Sequence, residues 1–487
     1  MGNYFPLILL LISVFAVITS AKTIRLPSEH KLKLSPGCPA PDFSLNDRPV
    51  IGIVSHPGDG ASGSISNATG VSYIAASNVK FVESAGARVI PLIYNEPKET
   101  LLEKLELVNG IVFPGGSFEK GEYLERLDEI LGIVLENNDA GDNFPLLAIN
   151  LGFQLLTIIV SQDKVNIEKF SASNQASTLQ LVEGLNVEGT LFQKFPHELL
   201  EKLGEDCLVM QNHKLSADCP AIADLNYEPV IGIVSHPGDG AGGRISNATG
   251  VSYIAASYVK FIESAGARVI PLIYNDPQET LLKKLDLVNG VVFPGGSNEN
   301  DGYVECLGDI YGGNVKLEEF SASNQASKLQ LVEGLDVKGA LFERLPHDVL
   351  EKLGEKCLIM QNHKLGVSPE SFQADESLSN FFHVLTTSPD RDNKVYVSTI
   401  QAKYYPILAV QWSPEKNAYE WSLSGTPRTA DAILVSQTVA NYFVNEARYS
   451  FYKAENEQDV RDNLIYNYNT SNSGKYGSDY VEVYIFS

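Results

Sequence analysis

The chain has 487 residues, 44% apolar and 20% charged, enough for two or three domains around sizeable cores. A formal net charge of −23 excludes partners held by basic patches, because nucleic acid and anionic membrane both repel an acidic surface. Phe5 to Ile18 is an apolar run too short for a stable membrane span. Thr19-Ser20-Ala21 follows it, so residues 1–21 read as a secretory signal. Three N-x-Ser/Thr sequons, at Asn67, Asn247 and Asn469, fit that route. The five cysteines, Cys38, Cys207, Cys219, Cys306 and Cys357, form no CxxC pair and no zinc spacing. A disulfide among some of them suits an oxidising compartment, and the odd count leaves at least one thiol over.

Strands and helices alternate from residue 50 onward. Val50 to Val54 predicts a strand, Gly70 to Ala85 a helix with Ile74, Val79 and Phe81 on its apolar side, and Arg88 to Ile93 a strand. Thr100 to Leu107 predicts a helix. Ile111 to Phe113 predicts a strand ending in Pro114-Gly115-Gly116. The apolar run Phe144 to Ile149 predicts a strand buried on both faces, followed by a sharp turn at Asn150-Leu151-Gly152 and a helix from Phe153 to Val160. This alternation predicts an α/β fold, a doubly wound, mostly parallel sheet flanked by helices.

The strongest organisational signal is an internal repeat. Residues 50–117 and 230–297 match at 59 of 68 positions, offset by 180. Phe170 to Leu215 matches Phe320 to Leu365 with an offset of 150, so the second copy lacks 30 residues, among them the strand and turn around Asn150. The first copy, 48–215, has that turn but no C-terminal part. The second copy, 228–450, has the C-terminal part and leads into a tail, 451–487. Because a central strand is costly to delete, the sequence favours a composite domain of 48–215 with 366–487. In that arrangement Asn150 lies near Ser413 and Glu415, and 216–365 bulges out.

A strand ending in a tight turn into a helix is where many hydrolases mount a nucleophile, with backbone N–H groups facing the developing oxyanion. The Pro114-Gly115-Gly116 turn lies at the same edge of the predicted sheet, and its glycines permit close backbone approach. The residue at the tip, however, is Asn150, an amide that cannot act as a thiolate does.

The segments IGIVSHPGDG, VKFVESAGARVIPLIYNEP, VFPGGS, AINLGFQLL, FSASNQAS, QNHKLGVSPESF, QWSPEKNAYEW and NLIYNYNTSNSG resemble γ-glutamyl hydrolase, especially the plant enzymes. The resemblance covers nearly all of the chain beyond residue 48. It implies a class I glutamine amidotransferase-like fold, here partially duplicated, and hydrolysis of γ-linked glutamate from folate polyglutamates in the vacuole or the extracellular space. It implies no metal or organic cofactor. A homodimer, or a dimer with an active paralogue, is left open as the assembly.

Carried over residue by residue, the resemblance puts Asn150 at the nucleophilic cysteine, Ser413 at the catalytic histidine of a QWHPE motif, and Glu415 at that motif's glutamate. Gln154 stands where a glutamate is usual. The implied binding residues are Gly115, Gly116, Leu151, Gln154, His363, Lys416 and Tyr73, whose repeat is Tyr253. Each has a plainer reading: Tyr73 as helix packing, His363 as a satisfied structural histidine, His56 and His236 as turn residues, Glu415 as a carboxylate without a histidine to orient. Cys306 aligns with Arg126 in a polar segment, away from any such turn. The sequence therefore supports a family member with lost or crippled catalysis. The alternatives are a pseudoenzyme that binds γ-glutamyl chains or pairs with paralogues, and a recombined product of duplicated genes with no selected function.

Overall fold

The computed structural model describes residues 38, 46–61, 64–65, 70–116, 121–162, 175–182, 187–188, 190–206, 208–211, 226–247, 250–295, 317–335, 340–450 and 454–487. The signal segment, the Asn67 sequon, His213, Gly296, Cys207, Cys219 and Cys306 lie outside these residues. No described helix is long and apolar enough to cross a membrane.

In the first copy, β1 (Val50–Val54), β2 (Arg88–Leu92), β3 (Ile111–Phe113) and β4 (Leu146–Ala148) form a parallel sheet in the order β2-β1-β3-β4. The connecting helices are α1 (Ala76–Ser84), α2 (Lys98–Leu105) and α3 (Glu122–Asp139), and α4 (Leu151–Ser161) leaves β4. Val54, Leu92, Leu101, Phe113, Leu127, Ile130 and Leu155 fill one side of the sheet with no exposed surface. The expected strands are there, β1 and β3 with the bounds expected of them, β2 one residue shorter, and β4 reduced from Phe144–Ile149 to Leu146–Ala148.

Two expectations change. The helix predicted from Gly70 starts at Ala76, and Tyr73 sits before it in a short strand with Ser72 that pairs with His56–Pro57. The spacing of Ile74, Val79 and Phe81 misled because the SHPG turn offers Ser72–Tyr73 backbone partners that a helix would have forgone. The second change concerns β4. It pairs with β3 alone among the described residues, and Leu147 is 46% exposed, so it is a sheet edge and not a doubly covered central strand.

The second copy repeats three of the four strands. In chain order, after β5 (Gln175–Ser177) and β6 (Val209–Gln211), come β7 (Val230–Val234), β8 (Ser252–Ala255), α5 (Ala256–Glu263), β9 (Arg268–Leu272), α6 (Gln278–Leu285) and β10 (Gly290–Val292). β9-β7-β10 is parallel, like its counterpart.

The C-terminal residues then build on this copy. β11 (Glu318–Ser327) pairs antiparallel with β12 (Ile359–Gly366). β13 (Phe382–Pro389), β14 (Val395–Ala402) and β15 (Leu408–Val410) form an antiparallel meander. The helices α7 (Pro414–Tyr419) and α8 (Ala430–Arg448) pack on α5, and β16 (Val483–Phe486) pairs with β8 from Ser252 to Ala255. One core joins Ile231, Ile233, Val259 and Val269 to Trp412, Tyr419, Val435 and Ala440.

The composite domain expected from the sequence is therefore not what forms: residues 366–487 complete the second copy. The logarithmic growth of loop closure cost made the composite affordable in principle. Local continuity decides otherwise, because 366–487 follows the second copy directly and finds a nearly identical α5, β7 and β12 surface there.

Candidate functional site

The elbow of the first copy is built by close backbone approach. Asn150 has φ 54° and ψ −110°, a left-handed conformation that a non-glycine residue enters only at a cost of about 1–3 kcal/mol. What imposes it is the packing around Gly152, whose N–H donates to the Pro114 carbonyl at 3.2 Å and the Ile149 carbonyl at 2.9 Å. A Cβ on Gly152 would meet the Phe113 carbonyl oxygen at 2.3 Å, so the turn can only close over a glycine. Leu151 is buried in the core below, and the half-buried Gln154 starts the helix by donating its N–H to the Asn150 carbonyl at 3.2 Å.

The Pro114-Gly115-Gly116 turn abuts this elbow. A Cβ on Gly115 would lie 3.2 Å from the Cβ of Asn150, and one on Gly116 would collide with the His56 ring at 2.3 Å. His56 is buried, its Nδ1 is 2.7 Å from the Pro57 carbonyl, and its ring lies 5.4 Å from Tyr73 and 5.2 Å from Tyr123. Tyr73 thus packs on the histidine beside the glycine turn, not on a helix face. Gly115, Gly116, Asn150, Leu151 and Tyr73 share one neighbourhood.

The remaining residues assemble elsewhere. Trp412 is buried with Nε1–H donating to Thr399 Oγ1 at 3.1 Å, and the Ser413 N–H donates to the Met360 carbonyl at 2.9 Å. Ser413 caps α7 without using its hydroxyl on the helix. Glu415 is fully buried, and burial raises its carboxyl above the usual range against the pull of Lys416. Its partner is the Tyr258 hydroxyl, which also accepts the Gly295 N–H at 3.0 Å. Glu415 Oε1 has no hydrogen-bond partner among the described residues. Gly295 is the repeat of Gly115, so the backbone donor of the second glycine turn is already engaged by this tyrosine.

Lys416 is equally buried, with Nζ 4.5 Å from the centre of the Tyr480 ring and no carboxylate at ion-pair distance among the described residues. Tyr480 hydrogen-bonds Tyr253, the repeat of Tyr73. Glu420, on the same turn, accepts the Val481 N–H at 2.7 Å, and burial, against Lys416, pushes its carboxyl up to about 7. His363 is half-buried and pushed down to about 4 by burial. Nε2 lies 3.0 Å from Gln361 Oε1 and Nδ1 3.1 Å from the Leu365 carbonyl, and the neutral ring that burial favours has one N–H to give to these two acceptors. Its ring packs on Tyr396 at 4.7 Å.

Asn150, Gly115, Gly116 and Tyr73 are therefore held by first-copy residues, and Ser413, Glu415, Lys416 and His363 by second-copy residues. Sequence reasoning missed Tyr258, Tyr480 and Glu420. Tyr258 was within reach, because it stands at one of the nine positions where the repeats differ, opposite Asn78. Tyr480 and Glu420 carry no such signal.

Comparison with known proteins matches a family model described as Peptidase C26 to residues 49–173 and again to 229–306, one match per copy. "Gamma-glutamyl hydrolase 2" of Arabidopsis thaliana is 38% identical over 100% of this chain and 98% of its own length. "Gamma-glutamyl hydrolase" of Glycine max is 48% identical, with 56% of this chain accounting for 88% of that protein. "Gamma-glutamyl hydrolase" of Homo sapiens is 31% identical over 54% of this chain and 91% of its own. About half of this chain is thus enough to span most of the Glycine max and Homo sapiens relatives.

Proposed function

Because the chain belongs to the γ-glutamyl hydrolase family, we propose that it is a member that holds γ-glutamyl chains without cleaving them. The observation that carries this reading is the amide of Asn150 at the tip of the elbow. A cysteine hydrolase needs a thiolate to attack and an imidazole to move the proton, and an amide supplies neither. Loss of the nucleophile alone costs about a million-fold in turnover. Two further facts support the reading: Ser413 has no imidazole, and Glu415 is already bonded to Tyr258. The two glycine turns also keep separate company, Gly115 with Asn150 and Gly295 with Tyr258.

Retention of a ligand rests on Lys416. A buried ammonium whose described contact is an aromatic face suits the carboxylate of a glutamyl chain, folate polyglutamate by family resemblance. The Cys38–Cys357 disulfide supports an oxidising route, hence the secretory pathway towards the vacuole or the cell exterior.

The test pairs two measurements on the purified chain. Incubated with folate pentaglutamate, it is expected to release no shorter chains, and turnover approaching that of an active single-copy relative overturns the first half. Calorimetric titration with a γ-glutamyl peptide is expected to give binding that Lys416→Met removes. No heat at millimolar ligand, or binding indifferent to that substitution, overturns the second half.

A further inference from the structure

The helices α1 and α5 occupy the same place in the repeat and pack against each other across the two copies. Lys80 Nζ lies 2.6 Å from Glu263 Oε2, and Lys260 Nζ lies 3.0 Å from Glu83 Oε2. The offset of 180 turns Lys80 into Lys260 and Glu83 into Glu263. The two ion pairs are therefore one ion pair applied twice. Residue i of the first copy meets residue j of the second, and j of the first meets i of the second, which is the signature of a two-fold contact. Lysine and glutamate are three apart on each helix, so they share a face. Pairing 80 with 263 and 83 with 260 further requires the helices to cross antiparallel.

Only the reciprocal pairs obey the two-fold. Lys260 also meets Glu482 at 3.2 Å, and Lys80 lies 5.0 Å from the centre of the Tyr466 ring. Both extra partners come from the single C-terminal part, which has no counterpart on the first copy. Glu263 is well buried, and Lys260 and Glu83 are mostly so. These pairs lie inside a packed contact, where solvent screens them less than at a free surface.

We propose that this helix face is a homotypic docking surface and that the chain spends it on itself, folding as an internal pair. The partner the surface fits is a second copy of the same repeat helix, and here that copy is already in the chain. The homodimer or paralogue dimer left open by the sequence is not formed through this face.

The test is zero-length cross-linking of the full chain with a carbodiimide, which condenses an amine with a carboxylate to an amide and releases water as the urea. Equal amounts of unlabelled and nitrogen-15-labelled protein are mixed at low concentration, treated, digested and read by mass spectrometry. Links Lys80–Glu263 and Lys260–Glu83 are expected, each joining peptides of the same isotope. Lys80→Arg keeps the charge without the coupling amine and should remove the first link alone. Links joining labelled to unlabelled peptides, absence of either link, or coupling of Lys260 to Glu482 in place of Glu83, each overturns the proposal.

Discussion

Met210 and Met360 stand at the same position of one repeat, yet Met210 is 61% exposed and Met360 is completely buried. Leu191 and Leu341 repeat the contrast, at 76% and 0%. The cause lies in α7 and α8, which cover β12 and the turn Leu341–Arg344 in the second copy. The first copy carries the same surface, and α7 and α8 are already committed elsewhere. Truncating Met360 to Ala should therefore cost about 2–5 kcal/mol, whereas Met210→Ala should stay within about 0.5 kcal/mol. Urea midpoints of the two variants check this. Equal losses would mean that the first-copy face is covered in solution.

Restoring the missing groups should not restore the reaction. If the site were whole apart from its two substitutions, Asn150→Cys with Ser413→His would recover activity where each alone would not. Asn150 is set against Gly115 and Ser413 against Met360 of the other copy, so the pair is not rebuilt by two side chains. The double variant is expected to release no glutamate from folate pentaglutamate. Recovery would place the two residues within one site.

Two glycine substitutions should move stability in opposite directions. Gly116→Ala drives a methyl to 2.3 Å from the His56 ring and should destabilise by about 1–3 kcal/mol, lowering the melting temperature. Gly132 lies inside α3 with nothing within 4 Å of an added Cβ. Gly132→Ala should gain about 0.5–1 kcal/mol, because alanine loses less backbone entropy on entering a helix. Calorimetric scans of the two variants read the signs directly.

Glu420 gives the chain a pH dependence. Its carboxyl is raised by burial from about 4.5 to about 7, so the folded state binds its proton more tightly than the unfolded chain does. Stability from this group is full below the unfolded value and falls as the pH rises through the folded one. The loss is on the order of 3 kcal/mol between about pH 4.5 and 7. Glu420→Gln should flatten that part of the profile in urea titrations across the range. An unchanged slope would show that Glu420 is ionised in the fold.

The parallel sheet was legible because its strands are apolar runs bounded by turns, and the repeat announced itself by identity alone. The elbow at Asn150 was legible too, since a glycine two residues past the strand marks a tight turn into a helix. What the sequence could not rank was which copy would receive residues 366–487. Both copies offer nearly the same surface, and chain continuity, which leaves no trace in composition, decided it. Tyr73 was misread for a related reason: its apolar spacing suits a helix, and the pairing that keeps it extended comes from His56, seventeen residues earlier. Tyr258 acquires meaning only when Gly295 and Glu415 come to its hydroxyl.

The disulfide between Cys38 and Cys357 joins a residue ahead of the first copy to one inside the second. The backbone joins the copies a second time, between Gln211 and Asn226. Two covalent connections make the meeting of α1 and α5 an intramolecular event, with an effective concentration in the millimolar range or above for short connections. A face of modest intrinsic affinity stays closed under that condition. Single losses among Lys80, Glu83, Lys260 and Glu263 are then buffered by tethering, and reduction of Cys38–Cys357 is the step that would expose how weakly or strongly the two halves hold one another.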